Sequence, residues 1–140
     1  MRRNGYKLIR KTLLDFVTKS HGLELVYHPS HGQNVVEVRH KSKRSFVYIL
    51  ASKVGWWSIS AGVLKYIEEY GENWFIIFLL LVGTGPTADG WVLDKRAWQR
   101  MKDDLHPYKR DYKVRFNNLN KSEKISGVKA VAETLISHLR

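Results

Sequence analysis

The stretch SFVYILASK (45–53), VGWWS (54–58), ISAGVLKYIEEYG (59–71) and NWFIIFLLLVG (73–83) decides the fold. It reads as strand, turn, helix, strand. Trp74 to Val82 is apolar at all nine positions. A run without polar alternation marks a strand buried on both faces, which sits mid-sheet with helices on either side. It is far short of the roughly 20 residues that a membrane-spanning helix needs. Val63, Leu64, Ile67 and Tyr70 form the apolar stripe of a helix ending near Tyr70. Ser58 or Ser60 suits its N-cap, and Gly71 closes it. The Trp56-Trp57 pair has two uses. A ring can fill space between strand and helix, or stack on an unpaired base. At least one of the two is expected in the core.

Upstream of this stretch, Tyr6, Ile9, Leu13, Phe16 and Val17 recur at helical spacing, predicting a helix over residues 5–20 capped by Gly22. Leu23 to Tyr27, Asn34 to His40 and Phe46 to Ala51 then form a three-strand meander rich in β-branched and aromatic residues. Downstream, Trp91 to Leu93 reads as a short strand, and Asp94 caps a helix reaching Leu105. A strand over Tyr112 to Phe116 and a final helix from about Ser126 complete the chain. The expectation is therefore one α/β domain over residues 1–140. It has a mixed sheet flanked by helices, an αβββαβ core and a C-terminal βαβα extension.

Charge supplies the first functional clue. The 140 residues carry 24 Lys+Arg against 13 Asp+Glu, a formal net charge of +11. Residues 1–53 hold eleven of the cations and three acids, a local excess of eight. Such a field attracts polyanions. The cations on the first helix (Arg10, Lys11) and at the meander tip (Lys41, Lys43, Arg44) suit phosphate contacts, as does Lys53. The chain has no cysteine, which excludes disulfides and thiolate metal sites and agrees with a cytoplasmic setting. Its basic first residues lack the apolar core of a secretory signal.

A helix, a three-strand meander, a helix and a buried strand resemble the PD-(D/E)xK nuclease superfamily, which includes restriction enzymes and archaeal Holliday-junction resolvases. The resemblance implies a restriction-endonuclease-like fold and, in active members, a carboxylate near the start of the second strand. A Glu/Asp-x-Lys on the third strand completes the site. Together these hold Mg²⁺ and help to activate water. The stretch 32–37 matches the second-strand motif and 47–53 the third, with Lys53 as the motif lysine. Asn34 and Ala51 stand where acids are expected, so the metal site reads as degenerate.

The leading expectation is nucleic-acid binding, DNA favoured over RNA, on an endonuclease-like scaffold. One alternative is an active, atypical Mg²⁺-dependent endonuclease or junction resolvase, with Lys53 and Glu37 catalytic and Glu37 and Glu24 as metal ligands. The other is a protein-interaction module or subunit, anchored by exposed aromatics such as Trp98 or Tyr108. A homodimer is compatible with each of the three. His28 and His31 lack a neighbouring third ligand for zinc. The glycines between Gly83 and Gly90 lack the Lys-Ser/Thr of a phosphate loop.

Overall fold

The apolar run does form the centre of a sheet. A computed structural model describes residues 3–27, 34–83, 87–105, 107–108 and 111–140. In it β5 (Asn73–Leu81) lies between two strands. On one side it runs parallel to β3 (Lys43–Ser52), and on the other antiparallel to β6 (Ala88–Asp94). β2 (Val35–His40) and β1 (Glu24–Tyr27) extend the sheet antiparallel beyond β3, giving the order β1-β2-β3-β5-β6.

Because alternate strand residues point to opposite faces, this sheet builds two cores. Val36, Val38, Val47, Ile49, Phe75, Ile77 and Leu79 face α1 (Arg3–Thr18) and α4 (Val128–Leu139). α1 contributes Ile9, Leu13 and Val17, one stripe four residues apart. Val35, Phe46, Tyr48, Leu50, Trp74, Ile76 and Phe78 face the other way, toward α2 (Ala61–Tyr70) and Trp98 of α3 (Lys95–Lys102). Ile76, Ile77, Phe78 and Leu79 have no exposed surface. Burying each such side chain is worth about 1.5–3 kcal/mol, which makes β5 the centre of both layers.

The punctuation follows the sequence closely. Gly22 takes the left-handed φ of 83° after α1. Ser60 accepts the Val63 amide at the start of α2, and Asp94 accepts the Ala97 amide at the start of α3. Gly71 is required for a different reason. A Cβ there would come within 2.7 Å of both the Ile67 carbonyl oxygen and the Phe46 ring.

A small second sheet was not expected. The sequence reads residues 56–60 as turn and helix cap, yet Trp56–Ser60 forms β4. β4 pairs antiparallel with β8 (Asp111–Arg115), which pairs in turn with β7 (Pro107–Tyr108). Trp57 and Ile59 point inward while Trp56 and Ser58 point outward. Trp98, proposed above as an exposed anchor, is only 1% exposed and packs edge-on against Tyr112. Its hydrophobic surface is worth more inside, between α3 and β8. The Tyr108 side chain lies outside the described residues, as do His28 and His31.

The β6 edge is also covered at one point. Gly90 and Ile125 exchange both backbone hydrogen bonds, at 2.9 and 2.7 Å. No described helix is long and apolar enough to cross a membrane.

Candidate nucleic-acid interface

The β2–β3 register places Asn34 and Ala51, the two positions where the resemblance led acids to be expected. Val35 lies opposite Tyr48, and the Ile49 amide donates to the Asn34 carbonyl at 2.8 Å. Asn34 therefore lies opposite Ile49, one step beyond Val35 and on the alternate face. Ala51 is two residues further along β3 and packs half-buried against the α1–α4 core. Diagonal same-face neighbours on adjacent strands lie about 7–8 Å apart. Asn34 and Ala51 thus sit side by side at one end of the sheet. Lys53 follows at once, exposed in the bend after β3.

Glu37 lies elsewhere. It is opposite Phe46 on the other face of the sheet and has no exposed surface. Its carboxylate accepts from Arg44 at 2.9 Å (Nη2 to Oε1) and 3.0 Å (Nε to Oε2), and from Arg39 Nε at Oε2. The hydrogen bonds and charge attraction to Glu37 raise the Arg44 pKa above its ordinary value. Glu24 is exposed and lies opposite Arg39 in the register. Seven residues separate Phe46 from Lys53 along β3, which is about 23 Å at the rise of a strand. Glu37 and Glu24 are therefore not brought together with Lys53.

Among the described residues, no three His, Asp or Glu side chains gather where a metal ion could be held. At these two positions Asn34 offers only a neutral side-chain amide oxygen, and Ala51 offers no donor atom. The residues there do not fit a divalent cation, which takes six or more oxygen ligands with carboxylates among them.

The other predicted phosphate contacts fall into two groups. Lys41 and Lys43 lie at the β2–β3 hairpin tip, beside Arg44. The two-residue turn gives Lys41 a φ of 57°, and Lys43 Nζ donates to the His138 carbonyl near the end of α4 at 3.4 Å. Arg10 lines a groove of about 250 Å³ between α1 and β1, with Lys7, Lys11, Leu25 and Tyr27. Partial burial lowers the Arg10 pKa.

In sequence, no family model and no curated protein matches the chain. A solved structure does match in fold. The Holliday junction resolvase Hjc of Archaeoglobus fulgidus superposes with a TM-score of 0.53, covering 91% of this chain and 93% of its own, at 10% identity. The fold is resolvase-like. MepB aligns over 99% of this chain and 95% of its own at 11% identity, but a TM-score of 0.41 gives that likeness no weight.

One surface of this chain was visible in sequence only as a question. Trp57 is buried, donates its indole N–H to the Leu79 carbonyl at 3.1 Å and packs edge-on against Phe78 and Trp91. Trp56 is 58% exposed, with the Arg115 guanidinium 4.4 Å from its ring centroid. Its position is fixed by the turn before it. The Ser52 hydroxyl oxygen accepts the amides of Val54, Gly55 and Trp56 at 3.1, 3.1 and 3.2 Å. Gly55 holds a φ of 78°, and its carbonyl accepts the Phe116 amide at 2.8 Å. The Trp56–Arg115 pairing could have been suspected only by aligning Tyr112 to Arg115 against residues 56–59.

Proposed function

We propose that this protein binds nucleic acid, DNA in preference to RNA, through phosphate contacts on a resolvase-like scaffold whose metal-binding positions are degenerate. The observation that carries the reading is the exposed cationic surface of α1 and the β2–β3 tip on a chain of net charge +11. Lys41, Lys43, Arg10, Lys11 and Lys53 serve as phosphate contacts, and Arg44 adds charge at the tip. The tip and Lys53 lie at opposite ends of β3, so they reach separate phosphates along a backbone. Glu37 has a structural part, cross-linking Arg39 and Arg44 beneath the tip. Asn34 and Ala51 take the places where active members of the superfamily carry acids, which supports binding without cleavage.

A gel titration tests this. Linear duplex, single strand and a four-way junction are compared with and without Mg²⁺ or Mn²⁺, at several salt concentrations. Neutralising about five phosphates gives a slope of log K against log salt near −4.5 for duplex DNA. The expected result is a salt-sensitive shift with intact DNA. Metal-dependent cutting would overturn the degenerate site, and no shift on any substrate would overturn the nucleic-acid reading.

A further inference from the structure

The outward face of the β4–β8 ladder carries a pattern that phosphate binding does not explain. In register, Trp56 lies opposite Arg115, Ser58 opposite Lys113 and Ser60 opposite Asp111. The inward positions Trp57, Ile59 and Val114 are buried. Trp56 is left 58% exposed while its neighbour Trp57 is packed, and the Arg115 guanidinium lies over one face of its ring. The groove beside it measures about 400 Å³, within the range of small-ligand pockets. Trp56, Trp57, Ser58, Lys113 and Arg115 line it.

We infer that this face is a stacking platform for one unpaired nucleobase, with Trp56, backed on one face by the Arg115 guanidinium, as the stacking surface and Lys113 and Lys53 serving the flanking phosphates. The inference rests on the nucleic-acid reading and names the form of nucleic acid that the site takes.

Three features of the site support it. The first is shape: a flat indole, with the guanidinium over its ring, presents a surface that any base can stack on without sequence preference. The second is charge. Lys113 and Arg115 flank the ring on β8, and Lys53 stands in the turn leading into β4. The acid on this face, Asp111, lies opposite Ser60 at the far end of the ladder from Trp56. It accepts from the Ser58 hydroxyl, which itself accepts from Lys113 Nζ at 2.9 Å. That chain holds the Lys113 ammonium along the ladder. The third is rigidity, because the Ser52 hydroxyl fixes the three amides ahead of Trp56, so little order remains to be imposed on binding. Duplex DNA keeps its bases stacked on each other, so the platform serves single strands or the unpaired bases of a branched structure.

The test compares fluorescence anisotropy titrations of a labelled oligothymidine strand, a duplex of the same length and a four-way junction. The proteins are wild type, Trp56→Phe and Trp56→Leu. Leucine keeps an apolar side chain but cannot stack, and both replacements are at an exposed position that leaves the fold intact. Trp56→Leu is expected to lose about tenfold in affinity for the single strand, with less than a twofold change for duplex, while Trp56→Phe keeps most of the single-strand affinity. The junction arm separates the sources, a junction loss as large as the single-strand loss assigning the platform to branched DNA as well. An equal loss on all three substrates, or equal behaviour of Phe and Leu, overturns the platform and leaves phosphate binding standing. A wild-type protein that binds none of the three overturns both readings.

Discussion

Replacing Ser52 by alanine removes one oxygen and three hydrogen bonds. Ser52 is 4% exposed, and its hydroxyl oxygen accepts from the amides of Val54, Gly55 and Trp56. The Gly55 amide is buried, and leaving a buried donor unpaired costs about 1–3 kcal/mol. The Val54 and Trp56 amides are only part-buried, so water can replace their acceptor, and each loses about 0.5 kcal/mol. The expected total is about 2–4 kcal/mol, a large share of the 5–15 kcal/mol typical of a domain. Urea unfolding followed by circular dichroism reads it directly, and Ser52→Cys separates the causes. Cysteine fills the space but accepts hydrogen bonds weakly, so it should destabilise nearly as much as alanine. A cost below about 0.5 kcal/mol for Ser52→Ala, which is ordinary for an uninvolved surface change, would refute the account. So would a Cys variant as stable as wild type. Because the turn fixes Trp56, the alanine variant should also lose single-strand affinity in preference to duplex affinity.

Two further outcomes are expected. Lys41→Gly relieves a non-glycine residue of its left-handed φ at a hairpin turn, where the strain is about 1 kcal/mol. It should hold or raise stability in urea while reducing the duplex salt slope by about 0.9; an unchanged slope would remove Lys41 from the contact set. The double variant Asn34→Asp, Ala51→Glu introduces two acids at neighbouring places on one face. With a dissociation constant of about 1 mM, 10 mM Mg²⁺ would stabilise it by about 1.4 kcal/mol over its value in chelator. Identical unfolding curves with and without Mg²⁺ would show that these two positions do not form a metal site even when acidic.

The legible parts of the chain are those whose signal is local. β5 announces itself by nine apolar residues, α1 by the Ile9, Leu13, Val17 spacing, and the helix starts by Ser60 and Asp94. The fold class followed from their order. β4 was hidden because Trp56-Trp57-Ser58-Ile59-Ser60 is only five residues and runs straight into a helix cap. Its partner β8 comes some fifty residues later, and sequence spacing says nothing of that pairing. Glu37 was ambiguous for another reason. Val35, Val36 and Val38 are apolar on both faces of β2, so alternation could not say which face the acid takes. Its actual partners, one two residues along and one across the hairpin, give it a buried ionic cross-link that only the register reveals. Asn34 and Ala51 were singled out only by the family resemblance, and that they are neighbours on one face of the sheet comes from the β2–β3 register.

The two backbone bonds between Gly90 and Ile125 make the two edges of the five-stranded sheet unequal. A side chain at position 90 would collide with the Phe78 carbonyl at 2.8 Å, so the bridge depends on glycine, and Ile125 occupies the β6 edge at that point. β1 is the other terminal strand, four residues long, with Tyr27 exposed and the Lys7, Arg10, Lys11 groove alongside. A second copy that extended this sheet from β1 would bring two clusters of like charge together. Such pairing would be self-limiting at low ionic strength and would be relieved by a polyanion lying between the copies. Nucleic acid would then act as the counter-ion of an assembly as well as its cargo.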